Sequence, residues 1–153
     1  MKYMTTNEWE HFGFSEAYIS DLEQVGDCFR LVLDNVKIAP ENSKNRDIRE
    51  MRANGLCFRI QHAELLSLTE EGYKVYNADG RLTNQYEDRE IPPESRNDKL
   101  KSFTDGECCL YTLEKAGDVY TFVIDASDEH TYVLRIKGER DIEEWDRFLQ
   151  LLP

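Results

Sequence analysis

A chain of 153 residues with 31 acidic and 19 basic side chains, and hence a formal net charge of −12, excludes two classes of partner at the outset. Nucleic acid and anionic membranes both require basic patches, so the charge permits basic proteins or cations instead. Hydrophobic residues make up 40% and charged residues 33%, which suits one domain over 1–153 that buries about two-thirds of its unfolded surface.

Residues 5–13 predict a short helical turn with Trp9 and Phe12 or Phe14 packed inward. Residues 15–25 admit two readings. Tyr18, Ile19, Leu22 and Val25 fit a helix capped by Ser15 and stopped by Gly26, and equally the first arm of a hairpin that turns at Val25-Gly26-Asp27. The hairpin is favoured because Phe29, Leu31 and Leu33 alternate in the next run, with Val36 and Ile38 continuing past a bulge at Asp34-Asn35. Residues 39–54 begin as a loop at Pro40 and hold a basic cluster, Lys44, Arg46, Arg49 and Arg52, interrupted by Asp47 and Glu50. Asn54-Gly55 signals a turn, and 56–68 reads as one strand with Phe58 and Ile60 on one face. Residues 73–82 predict a hairpin around Asp79-Gly80. The polar stretch 83–105, with Pro92-Pro93, reads as a long exposed loop.

The last third carries the clearest pattern. Cys109, Tyr111 and Leu113 share one strand face, as do Tyr120, Phe122 and Ile124, and then Tyr132, Leu134 and Ile136. The connections 114–118 and 125–130 are rich in turn formers, so the three strands form an antiparallel meander. Asp141 with Glu144 three residues on resembles a capping box. Ile142, Trp145, Leu149 and Leu152 then recur at helical spacing. The expected fold is mainly β, an antiparallel sandwich or strongly curved sheet closed by a C-terminal amphipathic helix. It becomes α+β if 15–25 and 47–53 are helical.

Glu16-Ala17-Tyr18-Ile19, then Phe29 to Val36, then Leu56-Cys57-Phe58-Arg59-Ile60 share their strand rhythm with a loose class of small bacterial proteins. The chain resembles that class over 14–68. Some of its members are encoded beside polymorphic toxins as their immunity partners. The resemblance implies a binding role and carries no catalytic residues.

Motif by motif, the sequence offers no catalytic set. Three histidines, His11, His62 and His130, are scattered, and neither a Gly-x-Ser-x-Gly elbow nor a phosphate-binding glycine loop occurs. Cys28, Cys57, Cys108 and Cys109 lack zinc-site spacing and read as free thiols in a reducing compartment. An EF-hand loop around Gly80 fails, because Val75 and Tyr86 would fill its first and last ligand positions. Asp125, Asp128, Glu129 and His130 read as a solvated turn, so no metal and no cofactor is expected. No stretch approaches the ~20 apolar residues of a membrane span, and residues 1–9 lack the apolar core of a signal peptide. The expected compartment is the cytoplasm.

By elimination the chain reads as a non-enzymatic binding protein. Its candidate contact is the acidic loop of Tyr86, Glu87, Asp88 and Glu90, where the tyrosine supplies area and the carboxylates steer a basic partner. The alternative is a small-molecule-binding or hydrolytic domain with a pocket between sheet and helix, at Cys57, His62 and Trp145. A third reading is a homo-oligomer subunit whose strand edges pair between chains.

Overall fold

Alternating apolar and polar side chains carry more than half of the chain into strands, which is what a half-buried pleated surface requires. A computed structural model describes residues 1–151. A ten-stranded antiparallel sheet forms the body, with a three-stranded and a two-stranded sheet attached.

Strand β1 (Tyr3–Thr6) is followed by a 3-10 turn at Trp9–His11 and by β2 (Phe12–Gly13), so the helical turn expected over 5–13 shrinks to three residues. The ambiguity over 15–25 resolves as the hairpin: β3 (Tyr18–Val25) and β4 (Cys28–Asp34) turn at Gly26, whose φ is +62°. Asn35, also at φ +62°, ends β4. Then β5 (Val36–Ile38) joins β2 on one side and β6 (Met51–Ala53) on the other. The strand expected over 56–68 is two, β7 (Leu56–Gln61) and β8 (Glu64–Glu70). His62 separates them in a left-handed conformation (φ +52°), and they enter different parts of the large sheet.

The Asp79-Gly80 hairpin forms from β9 (Tyr73–Tyr76) and β10 (Leu82–Tyr86). The loop expected over 83–105 is instead largely structured. It contains the end of β10, β11 (Arg89–Glu90), a 3-10 turn at Pro93–Ser95 and helix α1 (Arg96–Ser102). Ile91, Leu100 and Phe103 are buried and fasten this segment to the body. Three apolar anchors amid polar residues are too sparse to read as a period. The meander follows as expected, with β12 (Cys109–Ala116), β13 (Val119–Asp125) and β14 (Thr131–Lys137). One face is corrected: a register shift between Leu110 and Thr112 turns Tyr111 out to 61% exposure, while Leu110 and Leu113 are buried.

The C-terminal helix is not formed where it was expected. Arg140–Trp145 is strand β15, paired with β1 on one side and β7 on the other. Backbone pairing along both edges outweighs the local capping signal. It places Asp141, Glu143 and Trp145 on the core face at period two, where helical spacing had grouped Ile142, Trp145 and Leu149. Leu149 pairs with Arg52 instead, and Leu152 of the expected stripe lies outside the described residues. The only α-helix among the described residues is α1, and no helix there is long and apolar enough to cross a membrane.

The large sheet runs β1-β15-β7-β4-β3-β12-β13-β14-β8-β11 and does not close. Phe58 of β7 and Phe122 of β13 stand four strands apart in that order, which in a flat sheet would separate them by ~19 Å. Their ring centroids are 6.1 Å apart, and Phe29 of β4 lies 5.9 Å from Phe122. The sheet therefore folds over on itself at the sparse β3–β12 junction, where one residue pair, Cys109 and Tyr18, is in register. Its two halves share one core. Gly138, between β14 and β15, makes the crossing from one layer to the other. A Cβ there would sit 2.1 Å from Ile60 Cγ2.

Two acids lie inside this core. Asp141 and Glu143 are both fully buried. Tyr120 donates its hydroxyl to Asp141 Oδ1 at 2.7 Å, while Thr5 Oγ1 and the Glu8 amide donate to Glu143 Oε1. Asp141 Oδ2 and Glu143 Oε2 take no hydrogen bond from a donor group among the described residues. Burial first, and then the neighbouring Asp141, push the Glu143 carboxyl far above the ordinary carboxylate range. Two neighbouring acids in a dry core cannot both carry charge cheaply, so Glu143 is the member of the pair that keeps its proton as pH rises. The Tyr120 phenol is likewise pushed up, by burial and by Asp141, so it stays a donor.

Candidate functional site

The β9–β10 hairpin stands apart from the body as its own two-stranded sheet, and every residue of both strands is exposed. Its tip is built locally. Asn77 Oδ1 accepts the amides of Asp79 and Arg81, and Gly80 takes φ +79°. On one face Tyr73 and Tyr86 are cross-strand partners with stacked rings 4.6 Å apart. On the other, Tyr76 pairs with Leu82, at 56% and 50% exposure. Val75 is exposed as well. An isolated hairpin is marginal in water, so five large apolar side chains left open on one are unlike ordinary scattered surface residues.

The expected contact residues converge on the root of this hairpin but have different duties. Asp88 Oδ1 accepts the Gly72 amide at 2.7 Å, which closes the root. Glu90 meets Arg96 at 3.4 Å. Glu87 is exposed without a cationic partner among the described residues and is the acid free to steer. Gly72 has no room for a side chain, since a Cβ would lie 2.3 Å from the Tyr86 carbonyl oxygen. Gly72→Ala is expected to loosen the hairpin at a cost of about 1–3 kcal/mol. Hydrogen exchange should then speed up for amides 73–86 and stay slow in β13; equal protection throughout would show that the root tolerates the methyl group.

A polar network holds the root against the body. Tyr132 donates to Asp128 at 2.7 Å, Lys99 Nζ lies 3.0 Å from the same carboxylate, and Arg89 pairs with Glu70. The Arg89 guanidinium holds the Glu70 carboxyl below its ordinary range. Asp128 also sits low: burial works against its charge, and hydrogen bonds from Tyr132 and Lys99 prevail. The His130 ring lies 5.5 Å from Tyr73. The acidic turn 125–130 is thus partly committed to structure, and no cluster of three or more metal-ligating side chains is found among the described residues. Beside the network, Arg89, Ile91, Pro92, Ser95, Asp98, Lys99 and Ser102 line an open cleft of about 530 Å³.

Cys57, His62 and Trp145 are not brought together. Trp145 is fully buried in the core, between Tyr3, Phe12 and Phe148. Cys57 pairs in register with Glu144, so its side chain leaves the opposite face of the sheet. Burial pushes its thiol pKa up, against the pull of Arg30. His62 sits in the exposed turn after β7, 3.0 Å from Asp27. All four cysteines are free. Tyr73, Tyr76 and Leu82 escape the sequence reading because apolar residues in a strand are taken as core. Only the absence of a second layer over this hairpin exposes them. No family model matches the chain, and no curated protein or solved structure matches it either.

Proposed function

We propose that the protein is a non-enzymatic cytoplasmic binding protein that grips a basic protein partner with the β9–β10 hairpin, as an immunity-type inhibitor does. One observation carries the reading: the exposed large apolar side chains Tyr73, Val75, Tyr76, Leu82 and Tyr86 gather on one projecting hairpin. Aromatic anchors supply the desolvated area of an interface, while the exposed acids Glu71, Asp79 and Glu87 supply steering for a cationic partner. Among the described residues neither outer edge of the hairpin has a strand partner, and each can accept an added strand.

The test is capture from the native host's lysate at low and moderate salt, with Tyr76→Ser/Leu82→Ser/Glu87→Gln as the matched variant. These side chains point to solvent, so the variant keeps the fold. The expected result is one stoichiometric basic protein, held by the natural chain, weakened by salt and lost by the variant. Neutralising Asp88 is uninformative, because it also opens the hairpin root. A partner retained equally by the variant, or no partner at all, would overturn the reading.

A further inference from the structure

We propose that a groove between the N-terminal strand, the 39–50 loop and the C-terminal segment is a binding site for a small aromatic molecule carrying an anionic group. The groove has a volume of about 340 Å³ and is lined by Tyr3, Lys44, Asn45, Arg46, Asp47, Met51 and Phe148. That volume lies at the small end of ligand pockets and suits one or two fused rings.

Its wall is aromatic and fixed. Tyr3 meets Phe148 edge-on at 4.8 Å and stacks on the buried Trp145 at 5.7 Å. Met51 adds a polarisable thioether, which packs well on aromatic faces. Its rim is cationic. Lys44 and Arg46 are exposed, and neither is in salt-bridge contact with a carboxylate among the described residues. Lys2 Nζ stands 5.5 Å from the Tyr3 ring centroid. Asp47, the one acid in the lining, is occupied by Arg49 at 3.4 Å. On a chain of net charge −12, unpaired cations beside an aromatic wall mark a place where an anion is attracted rather than repelled.

The loop that carries these cations is held in place before any ligand arrives. Asn45 is buried, and its Nδ2 donates to the carbonyls of Ile38, Ala39 and Arg49 at 3.2 Å each. Its Oδ1 accepts the Asp47 amide, and Asn42 Oδ1 accepts the Lys44 amide. Glu8 clamps the loop through the amide and hydroxyl of Ser43. Across the groove the C-terminal segment is tied by reciprocal backbone bonds between Arg52 and Leu149 and by Arg52 Nε on the Gln150 carbonyl. Preorganisation of this kind lowers the ordering cost of binding. The flat body lies against Tyr3 and Phe148, and the phosphate, sulfonate or carboxylate receives Lys44 and the Arg46 fork.

Matched pairs of probes test this on the full chain by calorimetric titration: adenosine monophosphate against adenosine, and naphthalenesulfonate against naphthol. The anionic member of each pair is expected to bind more tightly by about tenfold or more, with affinity falling as salt rises. Lys44→Gln/Arg46→Gln, both at exposed positions, should erase that preference while leaving the melting temperature unchanged. Tyr3→Leu, which keeps the strand and removes the ring, should weaken both members of each pair. Failure of both anionic probes to bind, equal binding of charged and neutral members, or an anion preference that survives the double variant would each overturn the site.

Discussion

Glu143→Gln is expected to leave the fold intact and to flatten the dependence of its stability on pH. The buried Glu143 carboxyl is held protonated by burial and by Asp141, so its folded pKa lies well above the ordinary value of 4.5. Such a group binds an extra proton in the folded state. Its contribution is complete below the unfolded pKa and is lost as pH rises towards the folded value, at a limiting slope of about 1.4 kcal/mol per pH unit. The groups facing it are Thr5 from β1, the Glu8 amide, Tyr120 from β13 and Asp141 from its own strand. A glutamine reproduces the hydrogen bonds of the protonated acid. Its oxygen accepts from Thr5 and Glu8, its amide donates to Asp141, and it has no proton to lose. Denaturant unfolding of both chains between about pH 5 and pH 9 should show the natural chain falling relative to the variant, by about 2–4 kcal/mol near pH 8. Parallel profiles would mean that Glu143 carries no extra proton in the fold.

This buried pair also marks the limit of what was legible in the sequence. β3 and β12 were half legible, because register shifts space their buried residues three apart, Ile19 and Leu22 in one and Leu110 and Leu113 in the other. That spacing left 15–25 open between helix and hairpin and put Tyr111 on the wrong face. β4, β13 and β14 were readable because one face of each is dry and the other wet, so the alternation survives in the residue order. β15 was not. Its core face carries Asp141 and Glu143, and two acids at period two read as a solvent face until the donors Tyr120 and Thr5 are found beside them. The local pattern Asp141-Ile142-Glu143-Glu144-Trp145 satisfies helix rules equally well. Only pairing with residues 3–6 and 56–61, distant in sequence, decides for the strand. The candidate contact was half legible. Tyr86 and Glu87 fall on the exposed hairpin, whereas Asp88 and Glu90 also bind the backbone or a neighbouring cation. Cys57, His62 and Trp145 look associable along the chain, but strand parity sends Cys57 and Trp145 to opposite faces of the sheet.

Phe58→Ala is expected to cost about 3–5 kcal/mol, a large share of the ~5–15 kcal/mol that holds a domain of this kind together. Phe58 is fully buried in β7, and its ring lies 5.6 Å from Phe14, 6.2 Å from Tyr120 and 6.1 Å from Phe122. Phe14 belongs to the first part of the chain, while Tyr120 and Phe122 belong to the layer folded over from the far side of the sheet. The lost ring therefore leaves a cavity between layers that a rigid backbone cannot close, and the transfer and cavity costs add. Tyr111→Ala serves as the comparison, since that ring is 61% exposed and its removal should cost no more than about 0.5 kcal/mol. In denaturant the Phe58→Ala midpoint should drop with the slope unchanged, and the transition should stay single by fluorescence and by circular dichroism. Two independently stable layers would behave differently: the probes would separate, because only the layer around β7 would be weakened. One coincident transition at a lower midpoint is what a shared core requires, since contacts between residues four strands apart can be lost only if both layers open together.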